Sequence, residues 1–506
     1  MSVLNKLYFK ITEYIPSIRS FLIFSKYIFS NRNQNDEVEL NTNAIGDNAH
    51  IDIKKKTIVF VTYEIAPFIP GGAGVFLGAV IKEINNDFNV IVLAMFGREL
   101  EEKIRGKYYN LNLYFADDLI SKDERSFIRQ NYSKNKYIKD SYRAYVALSK
   151  LCNLFPIDFI EFFEYTGISF FTLYNKRLEN EFNNIKIIER FQGSMGLIYK
   201  NEGYIPLDIV THRMLLMEET SIPFADIYFS PSESIWNEYQ NIYKIPIEAK
   251  KIISAPQTIY KVDRVWREDV NNKYILFFGK LQPIKGIDVL IEAFKNISNI
   301  FPDVKLVVAG PDTKTSRAGQ SYKQTIQKQI GNKLMGRIIF VDMINHQTMQ
   351  DWIKKSIFAV VPSKWEAYCL ALHELKATGI PLIINRINGF IDFFNENIDC
   401  IYYDGSVKGL TRALKQMISD NNLKIKLSTR YKTYTNYPVK LVDAYKSLLD
   451  IQVSNNNLET KKLKNVYKII NNKNPTLQES MSILGCILRD FFIEISQLPS
   501  KLVRGY

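Results

Sequence analysis

Cysteine is scarce in this chain: four in 506 residues, Cys152, Cys369, Cys400 and Cys486. They are scattered, with no C-x-x-C pair and no zinc spacing, which excludes a disulfide framework and suits a reducing compartment. The four histidines, His50, His212, His346 and His373, form no metal-binding cluster in sequence. No flanking pattern marks a Ser-His-Asp set. Long apolar runs are missing too. The stretch Phe21–Phe24 is far short of the ~20 residues that cross a bilayer. Residues 1–30 also lack the uncharged core and small-residue cleavage site of a signal peptide. Neither solenoid repeats nor heptads are present. Acidic residues are outnumbered: 53 Asp and Glu stand against 66 Lys and Arg, a net charge of +13. Such an excess favours phosphates and anionic headgroups as partners. The lysines are dispersed rather than striped and no nucleic-acid module is recognisable, so nucleic acid is not expected as a partner.

What is present is 46% apolar residues, enough for two full domains plus extensions. Buried strands are predicted at Thr57–Thr62, Asn89–Ala94, 157–161, 185–190, 274–279, 305–310, 337–341, 357–361 and 381–385. They alternate with helical stretches, which predicts parallel, doubly wound sheets.

The chemistry concentrates in the second half. After the strand at 357–361 stands Pro362-Ser363-Lys364-Trp365-Glu366, then Ala367-Tyr368-Cys369-Leu370, with Glu374 eight positions beyond Glu366. In one continuous helix the two carboxylates would sit about 12 Å apart. Glu366 is therefore expected in the strand-to-helix loop and Glu374 in the early helix. Between them lie backbone N–H groups at a helix N-terminus, a natural anion site. Two hydroxyl acceptors flanking a phosphate cradle suit a ligand made of sugar, diphosphate and ribose. The bland alternative is one solvated loop carboxylate and one on a helix surface. Upstream, Gly279-Lys280 and Lys285-Gly286 bracket another strand-to-helix turn, where a leaving diphosphate would meet two cations and a helix dipole. Solvated loop lysines are the alternative there.

These pieces, together with Gly310, Pro362-Ser363 and Gly379-Ile380-Pro381, resemble the C-terminal domain of retaining glycosyltransferase family 4 (glycosyl transferases group 1), of GT-B fold. The resemblance covers roughly residues 55–450. It implies two Rossmann-like doubly wound parallel-sheet domains facing a cleft. It implies that Glu366 binds the donor sugar hydroxyls, that Glu374 binds the ribose, and that Gly279 and the segment Ala367, Tyr368, Cys369 and Leu370 line the donor site. Lys280 stands where the family usually carries Arg, which keeps the charge but loses the planar fork. The family needs no bound metal in this role, and no D-x-D motif stands at a matching position, so no cofactor or metal is expected.

The first half fits the same resemblance. The strand 57–62 runs into Pro67-Phe-Ile-Pro70-Gly71-Gly72-Ala73-Gly74, with a helix expected from Val75. Gly72 and Gly74 would let this loop face the donor across the cleft. The glycine spacing is wrong for a dinucleotide fingerprint, and the next strand ends without an acid for a ribose. Glu164-Tyr165-Thr166-Gly167 resembles a family strand end, and Phe191-Gln192-Gly193-Ser194 carries Gln192 where relatives usually have His. Glu164 and Gln192 are thus the acceptor-side candidates, and Gln192 can hydrogen-bond but cannot shuttle a proton. Glu218-Glu219, Asp226 and Pro231-Ser232-Glu233 match a further family signature. Asp226 and Ser232 are read here as a turn residue and a helix cap.

The expected organisation is an apolar and basic extension with linker over 1–54, an acceptor-side domain over 55–265, and a donor domain over 266–435. A cross-back helix and C-terminal extension would occupy 436–506, with an Asn- and Lys-rich connector at 455–476 and an amphipathic stretch at 477–498. Both ends suit either packing on the body or peripheral attachment to an anionic cytoplasmic membrane face. The function expected is retaining transfer from a nucleotide-diphosphate-sugar to a glycan or lipid-linked acceptor in polysaccharide or glycoconjugate synthesis. A GT-B sugar-nucleotide epimerase or phosphorylase, or a non-catalytic sugar-nucleotide-binding membrane scaffold, are the alternatives.

Overall fold

The structure, a computed structural model, describes residues 51–69, 71–109, 111–203, 208–254, 265–267, 273–315, 321–330, 334, 336–342, 346–428, 441–450 and 460–471. The segments 1–50 and 472–506, with the apolar N-terminal stretch and the amphipathic stretch 477–498, lie outside the described residues. Among the described residues no helix is long and apolar enough to cross a membrane.

The first sheet holds seven strands: β1 (Lys56–Thr62), β2 (Phe88–Ala94), β3 (Asn112–Phe115), β4 (Phe159–Phe163), β5 (Lys186–Arg190), β6 (Ile227–Ser230) and β7 (Lys250–Ile253). Their order is β3-β2-β1-β4-β5-β6-β7, and every pairing is parallel. The second sheet holds β8 (Tyr274–Phe278), β9 (Lys305–Ala309), β10 (Ile338–Val341), β11 (Ser356–Val361), β12 (Leu382–Asn385) and β13 (Ile401–Tyr403). Its order is β10-β9-β8-β11-β12-β13, again all parallel. Strands buried on both faces, such as Ile58-Val59-Phe60-Val61, read as continuous apolar runs because helices cover each side. In each sheet the order reverses beside the first strand, between β1 and β4 and between β8 and β11. Crevices open outside the carboxyl ends of strands at such reversals.

The helices that matter to the site are α1 (Gly72–Ile84), α2 (Met195–Glu202), α3 (Glu233–Tyr243), α4 (Ile287–Ser298), α5 (Leu370–Ala377), α6 (Leu441–Lys446) and α7 (Lys461–Ile470). Helix α1 begins three residues before the expected Val75, so Gly72 and Gly74 belong to its first turn. Ser232 caps α3, its hydroxyl accepting the N–H of Ile235 at 3.3 Å. Asp226 is more than a turn residue: it takes an Arg177 N–H at 2.8 Å and the Ile187 N–H at 2.7 Å. The backbone N–H groups of Val265 and Trp266 both bond Thr378 of the second domain. Val265 and Trp266 are thus joined to the second domain.

The C-terminal segment corrects one expectation. Part of the supposed connector 455–476 is helix α7, and its Leu463, Val466 and Ile470 sit in the first domain's core beside Val59 and Val61. Residues 441–448 enter the same domain from the other face of β1, where Leu441, Ala444, Tyr445 and Leu448 pack with Ile58 and Phe60. Helical spacing of these apolar residues explains both. Tyr445 also joins a buried ion pair. Arg190 donates to Glu161 at 2.5 Å and to the Tyr445 hydroxyl at 2.9 Å, and that hydroxyl donates to Glu161 at 2.8 Å.

Candidate active site

Lys285 ends a single helical turn, Pro283–Lys285, that follows β8. Gly286 closes the turn at φ 68°, and a Cβ there would stand 2.0 Å from the carbonyl oxygen of Pro362. Only glycine supplies both the left-handed backbone and the room. This contact seats the Lys285 turn against the loop after β11. As a result the Lys285 ammonium donates to Glu366 at 2.5 Å. Ser363 donates its hydroxyl to the same carboxylate oxygen at 2.9 Å, and Asn385 fixes the Ser363 carbonyl at 2.9 Å. Burial acts to lower the Lys285 pKa, but the Glu366 carboxylate outweighs it and holds the ammonium above its usual range. The two residues assigned to phosphate and sugar are thus paired with each other. Lys280 is exposed and makes no ion pair among the described residues.

Past Glu366 the loop turns inward. Ala367 and Tyr368 are buried, and the Tyr368 ring stacks on His373 at 3.9 Å between centroids. His373 is therefore a packed helix residue. Cys369 adopts φ 64° and leads into α5, whose first turn no side chain caps. The Leu372 and His373 N–H groups bond the Cys369 carbonyl, which leaves those of Leu370 and Ala371 to meet an anion. Glu374 follows one turn on. It is half-buried, makes no hydrogen bond or ion pair among the described residues, and burial pushes its pKa up to about 7. A desolvated carboxylate without a donor partner is poised to accept hydroxyls. Gly279 occupies the end of β8 at φ 153°.

Across the cleft, Gly74 donates its N–H to Glu64 at 3.1 Å. A Cβ on Gly74 would stand 3.0 Å from the Ile65 nitrogen and the Ile69 oxygen, whereas Gly72 faces open space. Neither glycine takes a positive φ. Gly74 is there for close packing. Nothing in the sequence singles out Glu64, which sits amid Tyr63, Ile65 and Ala66 with no pattern to mark it.

The two acceptor-side candidates are linked but differ in position. Gln192 is half-buried in the loop after β5. Glu164 is 1% exposed and accepts the N–H of Gln192 at 2.8 Å, the N–H of Gly193 at 2.7 Å and the Tyr239 hydroxyl at 2.6 Å. All its partners are loop or core groups, so Glu164 lies behind the Gln192 loop and does not face the cleft. Burial raises its pKa above the usual carboxylate range. Glu218 likewise holds neighbouring backbone. It accepts the N–H groups of Thr166, Met195 and Gly196 at 2.9, 2.9 and 2.8 Å, and burial pushes it up to about 7. The sequence motif around Glu218 assigns it no role; an acid among the apolar residues of its helix was the available signal. The domains meet here. Ile284 donates its N–H to Glu202 at 3.0 Å, Asn388 donates to Glu238 at 2.8 Å, and Ser234 bonds Asp392 twice at 2.8 Å.

Residues 260–436 match the family model for glycosyl transferases group 1. An uncharacterized glycosyltransferase, MJ1607, of Methanocaldococcus jannaschii is 24% identical over 44% of this chain and 60% of its own. A D-inositol 3-phosphate glycosyltransferase of Jonesia denitrificans is 26% identical over 23% of this chain and 27% of its own. The chain thus spans less than two thirds of the length of either relative. Among solved structures, Anabaena Alr3699/HepE in complex with UDP and glucose superimposes at a TM-score of 0.55 with 14% identity, covering 78% of this chain and 98% of that one. The fold is GT-B.

Proposed function

We propose, for a chain whose residues 260–436 are a group 1 glycosyltransferase domain within a GT-B fold, that it moves a sugar from a nucleotide-diphosphate-sugar to a hydroxyl of a glycan or lipid-linked acceptor, with retention of configuration. One observation carries the reading: the Lys285–Glu366 pair stands beside the start of α5, which no side chain caps, and beside Glu374, whose side chain has no partner among the described residues. The diphosphate would lie on the α5 N–H groups with Lys280 and Lys285 against its oxygens. Glu374 would accept the ribose hydroxyls and Glu366 those of the sugar. As the bond from the anomeric carbon to phosphate oxygen breaks, the two lysines stabilise the charge gathering on the diphosphate. The acceptor oxygen bonds that carbon on the same face and passes its proton to the departing phosphate oxygen. Gln192 would meet the acceptor, with Glu164 positioning it from behind. No metal enters this scheme. The excess of cations also supports docking at an anionic cytoplasmic membrane face, near lipid-linked acceptors.

The test is a screen of UDP-, GDP- and ADP-sugars for release of nucleoside diphosphate, with and without candidate acceptors, and NMR of the product anomer. Acceptor-dependent release with retained configuration is expected. Interconversion of the sugar nucleotide without acceptor would make the protein an epimerase. Nucleotide binding with no turnover would make it a binding scaffold. Flotation with anionic liposomes at low and high salt tests the membrane docking.

A further inference from the structure

Trp365 is the neighbour of Glu366 in the second domain, yet it is packed as a core residue of the first. It is 6% exposed and sits in one apolar cluster with Phe191, Trp236 and Tyr239. Its indole N–H donates to Glu238 of α3 at 3.1 Å. The other oxygen of Glu238 accepts from Asn388 at 2.8 Å. Asn388 precedes Gly389, whose missing Cβ leaves room for the Glu366 carbonyl; a Cβ would stand 2.1 Å from that oxygen. Glu238 therefore holds the Glu366 loop directly through Trp365 and, through Asn388, holds the turn packed against the Glu366 carbonyl.

The next residue of α3 grips the opposite loop. The Tyr239 hydroxyl accepts the N–H of Ser194 at 3.0 Å and donates to Glu164, which holds the N–H groups of Gln192 and Gly193. One turn on, Tyr243 donates to the Ser194 hydroxyl at 2.6 Å. The two loops also touch: a Cβ on Gly193 would lie 3.6 Å from the Trp365 ring. A single helix thus bonds to the donor-side loop through Glu238 and to the acceptor-side loop through Tyr239.

We infer that Trp365 and Glu238 are positioning residues that couple Glu366 to the Gln192–Ser194 loop, so that donor and acceptor loops are set together. The kinetic side of this inference rests on the glycosyltransferase reading; the structural coupling does not. Because the Trp365–Glu238 bond is partly buried and charge-assisted, loosening it frees both loops while leaving Glu374 and the start of α5 in place. Nucleotide affinity is then retained and the geometry between acceptor and anomeric carbon is lost.

Two variants of the full chain test this. Trp365→Phe keeps a ring in the cluster and removes the N–H; Glu238→Gln keeps the shape and removes the charge. In the free protein, hydrogen exchange is expected to quicken by about threefold or more in both 192–197 and 363–369, with β4, β5 and α5 unchanged. Faster exchange confined to 363–369 overturns the coupling. In the kinetic arm, calorimetric affinity for UDP, GDP or ADP stays within about twofold of wild type while kcat falls about tenfold or more. A parallel loss of affinity and kcat overturns the positioning role. Should the wild type turn over none of the donors, the functional reading fails, and the exchange measurement still decides the coupling.

Discussion

Replacing Glu366 by glutamine should make the protein bind free nucleoside diphosphate more tightly while it transfers sugar more slowly. Lys285 is held by Glu366 at 2.5 Å, with side chains 22% and 12% exposed. At that distance and an effective dielectric near 20, the gross attraction is about 6–7 kcal/mol. Desolvation offsets most of it, leaving a net worth of about 1–2 kcal/mol. A diphosphate that recruits Lys285 must work against this pair. Glu366→Gln keeps the shape and removes the competing charge, so affinity should rise about 5- to 30-fold, at 1.4 kcal/mol per tenfold. Transfer should fall, because the carboxylate that would hold the sugar is gone. Titration calorimetry with UDP, GDP and ADP at fixed pH and salt measures the change. The gain must vanish when Lys285→Met is added. Equal or weaker affinity in Glu366→Gln would refute the exchange of partners on which the argument stands.

Ionisation of Glu374, with a pKa near 7, should strengthen nucleotide binding about tenfold between pH 6 and pH 8, and Glu374→Gln should flatten that profile. The same shift has the opposite sign for folding: the native carboxyl keeps a proton that the unfolded chain has released, so its contribution to stability is full below the unfolded pKa and is lost as pH rises through about 7. If Lys280 and Lys285 meet the diphosphate charge, EDTA should leave most transfer activity intact; total loss restored by Mg²⁺ or Mn²⁺ would assign that role to an ion. Tyr445→Phe removes two hydrogen bonds to buried charged groups and should lower stability by about 2–4 kcal/mol in denaturant titrations; a loss under about 0.5 kcal/mol would show that Arg190 and Glu161 do not need the hydroxyl.

The parallel sheets were legible because strands covered on both faces carry uninterrupted apolar runs, as in Ile275-Leu276-Phe277 and Val307-Val308-Ala309. Glu366 in the loop and Glu374 in the early helix were legible from the break between strand and helix periodicity. The pairing of Lys285 with Glu366 was not, because it depends on Gly286 meeting Pro362 across 76 residues of chain. That Glu164 holds the Gln192 loop was not legible either, for a related reason. A carboxylate at a strand end looks the same in sequence whether it faces a ligand or holds the backbone of a neighbouring loop. Helix α7 was missed because its four lysines dominate its composition, while only Leu463, Val466 and Ile470 are buried.

The clasp of α6 and α7 on opposite faces of β1 bears on how the protein is made. Domains commonly fold as units while synthesis proceeds, the N-terminal one first. Here the first domain emerges with its sheet complete but both cores short of a layer, and with Arg190 and Glu161 awaiting Tyr445. Those residues leave the ribosome only after the whole second domain. Until then apolar positions on both sides of β1 stay open to solvent or to chaperones. A nascent chain stalled or truncated between 428 and 441 would therefore carry a finished donor half and an unfinished acceptor half.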